Sequence, residues 1–331
     1  MATAAVLGTG SWGTALAIQL SRNGHQIIAW DGDQDLITSL QSERRNPRYL
    51  PDHPFPDTLS AEHDLATAIK DVDFILAVIP SYAMRAVCEL LVPLDIPIKF
   101  IWATKGFEKQ SKMLMHQVVT EVLGDHIKTA VLSGPSFAKE VASNLPTAVS
   151  LASSDLDFAK ELASYFHSEN FRIYTSNDVV GVELGGTVKN VLAIAAGIID
   201  GLGFGANARA ALVTRGLAEM MRLGKALHAN PKTLMGLAGI GDLVLTCTDD
   251  QSRNRRLGLA LAQGKTAQQY MDELGQVVEG FHAAQVVHAI AKEHHVEMPI
   301  CEQVWQVLSG EIELKAAVSE LLGRDMKQEF I

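Results

Sequence analysis

The chain has 331 residues, with 38 acidic against 28 basic side chains and a formal net charge of −10. That length predicts two domains, each able to bury its own core. The acidic balance excludes a surface that recruits nucleic acid or an anionic membrane, so any phosphate must be held by a local basic cluster.

The first element in chain order is a strand, Ala4–Leu7. It feeds Gly8-Thr9-Gly10-Ser11-Trp12-Gly13 and then an Ala-rich apolar helix ending near Arg22. Gly8 permits a tight turn, Gly10 lets backbone approach a pyrophosphate, and Gly13 lets the helix sit close on its sheet. The helix N-terminus adds amide donors and a positive dipole at the same place. Gly24 ends the helix, and a second strand, Gln26–Trp30, delivers Asp31, 21 residues past Gly10, where an acid accepts hydrogen bonds from an adenosine ribose. Strand, glycine turn, helix and acid together predict NAD or NADP as cofactor. With no basic stretch ahead of an apolar run, the first residues are expected to be strand and helix, not a signal segment.

Further strands are predicted at Phe74–Ile79, Lys99–Trp102, Thr129–Leu132, Thr147–Leu151 and Arg172–Tyr174, alternating with helical patterns in the manner of parallel βαβ units. The stretch Asn46 to Ser60, with prolines at 47, 51, 54 and 56, is expected to be an ordered loop anchored by Tyr49. Pro80-Ser81, Thr104-Lys105-Gly106-Phe107 and Ser133-Gly134-Pro135-Ser136-Phe137-Ala138 each follow a strand. In an open parallel sheet such loops share one edge and line one crevice. From about residue 177 the strand pattern vanishes, and Val180–Ile199, Ala208–His228 and Glu279–Glu293 carry helical periodicity, with Val191 to Ile199 a buried core helix. The expected fold is α/β: a Rossmann-type doubly wound, mostly parallel sheet over residues 1–176, followed by an all-helical C-terminal domain over residues 177–331.

Within the helical half, Glu183-Leu184-Gly185-Gly186-Thr187-Val188-Lys189-Asn190 opens an apolar helix. Each interior glycine costs about 1 kcal/mol relative to alanine, so something needs the close approach they allow; a nicotinamide ring or a substrate fits. Lys189 beside core helix demands a carboxylate, a substrate oxygen or a wet cleft for its ammonium. Asp242, in the glycine turn Gly239-Ile240-Gly241-Asp242, is placed either to hold that lysine and a substrate hydroxyl or to cap a helix. Ser252-Arg253-Asn254-Arg255-Arg256 is the most basic run and falls at a helix start, a phosphate cradle or else a solvated face. Gly275-Gln276-Val277-Val278-Glu279-Gly280 separates two helices and is placed to touch the cofactor. Cys88, Cys247 and Cys301 lack C-x-x-C spacing, and no His or carboxylate group has metal-ligand spacing. No metal is expected, and the compartment is expected to be the cytoplasm. The chemistry left is hydride transfer by a borrowed nicotinamide, with a lysine handling the proton.

These segments, with Trp102-Ala103-Thr104-Lys105-Gly106, Gly203-Phe204-Gly205-Ala206-Asn207 and Gln251-Ser252-Arg253-Asn254-Arg255, resemble bacterial NAD(P)-dependent glycerol-3-phosphate dehydrogenase from the first strand to about Ile300. The resemblance implies an oxidoreductase that interconverts dihydroxyacetone phosphate and sn-glycerol 3-phosphate, serving glycerophospholipid synthesis. It implies Lys189 as the proton acceptor and, with Asn190 beside it, substrate contacts from Lys105, Gly134, Ser136, Asp242, Ser252, Arg253 and Asn254. Ser11, Trp12, Lys105, Ala138, Arg253, Val277 and Glu279 match cofactor contacts. The chain departs from many relatives at Asp31-Gly32-Asp33, where a His or Arg would suit a 2′-phosphate; an acid there opposes NADPH and favours NADH. The runner-up is a related β-hydroxyacid-type dehydrogenase with a lysine on a glycine-bearing helix, and a non-catalytic dinucleotide sensor is the alternative from another class. The partner is expected to be a small phosphorylated substrate, with no nucleic acid and no membrane insertion, and the acidic surface suits a monomer or a homodimer.

Overall fold

The computed structural model describes residues 1–94, 96 and 99–323. Among the described residues ten strands form: β1 (Thr3–Leu7), β2 (Gln26–Trp30), β3 (Arg45–Asn46), β4 (Leu50–Pro54), β5 (Leu59–Ala61), β6 (Phe74–Ala77), β7 (Lys99–Trp102), β8 (Lys128–Ser133), β9 (Thr147–Ala152) and β10 (Phe171–Ser176). Eight of them make one sheet in the order β10-β9-β8-β7-β6-β1-β2-β5. Side chains alternate across it. Ala4, Val6, Phe74 and Leu76 pack on one face with the helices Ser11–Arg22 and Leu156–Phe166. Ala5, Leu7, Ile75 and Ala77 pack on the other with Met84–Leu91 and Met115–Leu123. Burial on both faces is why these strands read as near-continuous apolar runs.

Registry aligns the carboxyl ends of the central strands. Leu7 lies opposite Trp30 and Ala77, Ala77 opposite Trp102, and Trp102 opposite Val131. The loops after β1, β2, β6, β7 and β8 therefore leave from one edge, as the sequence predicts. The chain steps to opposite sides of β1 toward β2 and β6, which makes β1 the switch point where such sheets bind ligands.

One expectation needs correction. The loop between Asn46 and Ser60 is partly extended: β3 and β4 pair antiparallel, and β5 adds to the sheet edge parallel to β2. Prolines are tolerated in β4 because it belongs to a two-stranded ribbon with an open edge. Tyr49 does anchor this segment, packing on the core with the Arg48 guanidinium 5.3 Å from its ring. The sheet is mostly parallel, as expected, and among the described residues its one antiparallel pair is β8 with β9. The helix joining them, Ala138–Ala142, has five residues. At 1.5 Å per residue it covers about 8 Å, far short of the ~20 Å needed to return along a six-residue strand.

Beyond β10 the described residues hold no strand. The helix Val179–Gly201 is long and apolar enough to cross a membrane by composition, yet 94% of its most apolar window is buried inside the protein. Packing gathers residues 1–186 and 229–242 into one compact unit and residues 187–228 and 243 onward into another. The segment 229–242 thus returns to the sheet-bearing unit and carries Asp242 with it. In the second unit the helices Val179–Gly201 and Arg253–Ala262 meet backbone to backbone. A Cβ on Gly197 would stand 2.0 Å from the Arg255 carbonyl oxygen, and one on Gly258 would stand 2.1 Å from that of Ile194.

Candidate active site

The glycine turn after β1 has the expected division of labour. Gly8 has φ +100°, and a side chain there would strike the Val78 carbonyl. Gly13 passes so near the turn that a Cβ would lie 1.9 Å from the Gly8 oxygen, whereas Gly10 has no atom within 4 Å of its Cβ position and leaves its face open. Gly10 is also the N-cap of Ser11–Arg22 and offers no side-chain acceptor, so the first amides of that helix are not satisfied by a cap. Trp12 packs on the core while its buried Nε1 has no hydrogen-bond partner. An open glycine, an uncapped helix start and an orphaned indole N–H fit a nicotinamide dinucleotide with its pyrophosphate at the helix N-terminus.

Asp31 stands at the end of β2, half-buried. Its Oδ2 accepts hydrogen bonds from the Thr9 amide at 2.7 Å and the Thr9 hydroxyl at 3.0 Å, and its Oδ1 accepts from the Asp33 amide at 3.1 Å. The carboxylate is thus pinned against the glycine turn. Asn46, fully buried, donates to the Thr9 carbonyl and the Thr14 hydroxyl at 2.8 Å each. Sequence reading missed Asn46; a polar residue beside Pro47 carries no local sign that it will brace a turn 37 residues earlier.

In the same unit, Lys105 Nζ donates to Asp242 Oδ2 at 2.7 Å, with the Asp242 side chain 1% exposed. Asp242 opens the helix Asp242–Thr248. Gly134 follows β8, its carbonyl accepting from the Ser136 hydroxyl at 3.0 Å and standing 3.5 Å from Lys105 Nζ. At Gly185 and Gly186 the atoms that come close are protein atoms. A Cβ on Gly185 would lie 2.2 Å from the Ala238 carbonyl oxygen, and one on Gly186 would lie 2.7 Å from Ser133 Oγ and 3.4 Å from Lys105 Cγ. Interior glycines report only that something comes near.

The second unit holds the remaining candidates. Lys189 is buried at 7% exposure, and its Nζ donates to Thr246 Oγ1 at 2.8 Å. Ser252 caps the helix Arg253–Ala262, accepting from the Arg255 amide at 3.1 Å. Arg253 is the first residue of that helix, half-buried, with Nη1 3.4 Å from Gln276 Oε1. Asn254 donates to Asn190 Oδ1 at 2.9 Å and accepts from the Gly280 amide at 2.9 Å, so these two asparagines tie three segments together. Arg255 serves the structure and not the site, since it is buried and pairs with Asp200, at 2.7 Å, and with Asp250. Val277 and Glu279 are half-buried, Glu279 opening the helix Glu279–Glu293; Ala138, which belongs to the first unit, is half-buried at the head of Ala138–Ala142.

All three cysteines are buried and none is in a disulfide. Burial pushes the Cys88 thiol up to about 12 and the Cys301 thiol well above its ordinary value, which removes both as nucleophiles. Among the described residues no three His, Cys, Asp or Glu side chains are grouped to hold a metal ion.

Comparison with known proteins places this geometry in a family context. The chain matches the family model for the NAD-dependent glycerol-3-phosphate dehydrogenase N-terminus over residues 3–159 and that for its C-terminus over residues 178–319. It is 54% identical over 326 residues to the glycerol-3-phosphate dehydrogenase [NAD(P)+] of Colwellia psychrerythraea, covering 98% of each chain. It is similar to the crystal structure of glycerol-3-phosphate dehydrogenase from Coxiella burnetii, with a TM-score of 0.94, 49% identity, and coverage of 98% of this chain and 99% of that one. The corresponding enzyme of Saccharomyces cerevisiae superposes with a TM-score of 0.82 at 29% identity, over 97% and 99% of the two chains.

Proposed function

The chain belongs to the family of NAD-dependent glycerol-3-phosphate dehydrogenases, and from that premise we propose how its residues divide the work. The reaction is reversible hydride transfer between NAD(P)H and dihydroxyacetone phosphate, giving sn-glycerol 3-phosphate for glycerophospholipid synthesis. Residues 1–176 bear chiefly on the cofactor and residues 177–331 on the substrate, with Lys105, Gly134 and Ser136 exceptions in the first and Arg253, Val277 and Glu279 in the second.

Bound NADH or NADPH supplies the hydride. Gly8, Gly10, Ser11, Trp12 and Gly13 take the pyrophosphate, Asp31 takes the adenosine ribose, and Ala138, Val277 and Glu279 are further cofactor contacts. Reduction builds negative charge on the C2 oxygen of the ketone, and the Lys189 ammonium stabilises that charge and gives up its proton. In the oxidation direction neutral Lys189 accepts the hydroxyl proton. Its hydrogen bond to Thr246, 2.8 Å long, serves both states, because a hydroxyl accepts from an ammonium and donates to an amine. Lys105, oriented by Asp242, is a second positive contact for substrate oxygen. Arg253 and Ser252 hold the phosphate, with Asn190 and Asn254 fixing the helix that presents them. A buried lysine on a predominantly apolar helix is the observation that carries this reading. The same acidic chain, with no cysteine in a disulfide, suits the cytoplasm, and its partner is a small phosphorylated molecule.

Replacement of Lys189 tests the assignment. Lys189→Ala should lower kcat by ~10²–10⁴-fold while leaving NADH affinity nearly intact, since the residue serves the proton and not the pyrophosphate. A variant that keeps its kcat and loses NADH binding would overturn the role.

A further inference from the structure

Glu183 is buried within the first two turns of Val179–Gly201, and the activity described above assigns it no role. Its Oε1 accepts from the Trp102 indole N–H at 3.0 Å and from the His116 amide at 2.9 Å, while Oε2 lies 2.5 Å from His116 Nδ1. Trp102 ends β7, and Lys105 follows it by three residues. Three residues along the helix from Glu183, on the same face, comes Gly186. The site of its absent Cβ is 3.4 Å from Lys105 Cγ and 3.5 Å from Lys105 Cδ. One face of one helix therefore grips the β7 loop at two points, by hydrogen bonds to the residue from which the loop departs and by direct contact with the lysine's stem.

We propose that Glu183 is a positioning residue for Lys105: by fixing Trp102 and the start of Met115–Leu123 against the helix, it sets the separation at which the Lys105 stem slides past Gly186 to reach Asp242. This role requires acceptor geometry and not negative charge. Glutamine at this position keeps an oxygen for the Trp102 and His116 N–H groups and turns its amide NH₂ toward His116 Nδ1, which accepts in the Nε2–H tautomer. Alanine removes every bond and leaves the buried indole N–H and the half-buried His116 amide without that acceptor.

The proposal rests on Lys105 acting on the substrate, and three variants test it against the unsubstituted chain. Glu183→Ala should lower kcat/KM for dihydroxyacetone phosphate by about 10- to 10²-fold, the effect of misplacing a contact residue by a fraction of an ångström to an ångström. NADH affinity, measured by fluorescence titration, should fall far less than kcat/KM, because the glycine turn is untouched and Lys105 is only one of several cofactor contacts. Glu183→Gln should restore most of the lost kcat/KM. Trp102→Phe, which deletes one donor and keeps an aromatic ring in place, should cost about three- to tenfold, the worth of one net hydrogen bond, and it decides the matter if the alanine variant does not fold. Normal kcat/KM in Glu183→Ala or in Trp102→Phe would overturn the proposal, as would parallel loss of NADH binding and turnover with no rescue by glutamine. Absence of turnover in the unsubstituted chain would instead sink the dehydrogenase assignment of the residues, a distinct outcome.

Discussion

Gly185→Ala is the substitution whose consequence can be worked most directly from distances. The added methyl would stand 2.2 Å from the Ala238 carbonyl oxygen, a backbone atom with no rotamer to escape into. Carbon and oxygen must separate to at least ~3 Å, so the helix and the turn Leu237–Gly241 must part by about 1 Å, an overpacking strain that typically costs about 1–3 kcal/mol. That turn ends immediately before Asp242, whose carboxylate meets Lys105 at 2.7 Å. A shift of about 1 Å at a substrate-positioning pair lowers kcat on the order of 10²-fold. Gly8 to Gly13 lie on a different element and should bind NADH as before. Steady-state turnover with dihydroxyacetone phosphate, NADH titration by fluorescence and a thermal melt read the three effects separately. A lowered Tm accompanied by unchanged kcat would refute the coupling of this glycine to the Lys105–Asp242 pair.

Asp31→Arg should move kcat/KM toward NADPH by about tenfold, or 1.4 kcal/mol, and should weaken NADH binding because Thr9 loses its acceptor; equal use of both cofactors by the unsubstituted chain would show the carboxylate does not discriminate. Arg253→Lys should raise KM for dihydroxyacetone phosphate and spare dihydroxyacetone, since lysine cannot reproduce a bidentate guanidinium contact; an unchanged ratio of kcat/KM for the two ketones would place the phosphate elsewhere, with Lys105 next. Glu219 predicts a pH effect on stability. Burial raises its carboxyl from 4.5 to about 7, against hydrogen bonds from the Ile300 and Cys301 amides. The folded state therefore binds the proton more tightly than the unfolded one, so this contribution is complete below about pH 4.5 and is lost as pH rises to about 7. Its span is on the order of 3 kcal/mol. Thermal melts across that range should fall more steeply for the unsubstituted chain than for Glu219→Gln, and parallel curves would show that Glu219 does not titrate there.

Local chemistry was legible in the sequence, and long-range pairing was not. Gly8, Gly10 and Gly13 announce a turn because each answers a steric demand set by its immediate neighbours, and the apolar runs of β1, β6 and β7 reflect burial on both faces. The segment Arg45–Ala61 misled because its prolines forbid helix without forbidding an edge strand or a ribbon. The direction of β9 was hidden because the length of Ala138–Ala142, not any residue in β9, decides it. At the site, Lys189, Lys105, Asp242 and Arg253 stood out as charges in apolar or glycine-rich company. Their partners did not: the lysine that meets Asp242 at 2.7 Å lies 137 residues earlier in the chain. Glu183 carried one sign, an acid in an apolar helix, and its partners Trp102 and His116 lie 81 and 67 residues away.

The central claim, that this chain reduces the ketone of dihydroxyacetone phosphate with a nicotinamide cofactor, is tested most directly by following NADH and NADPH absorbance in the purified protein as that ketone is added. Ketone-dependent cofactor oxidation is expected, faster with NADH, with sn-glycerol 3-phosphate accumulating in equal amount. Cofactor binding without turnover, or turnover only with a β-keto acid, would contradict it.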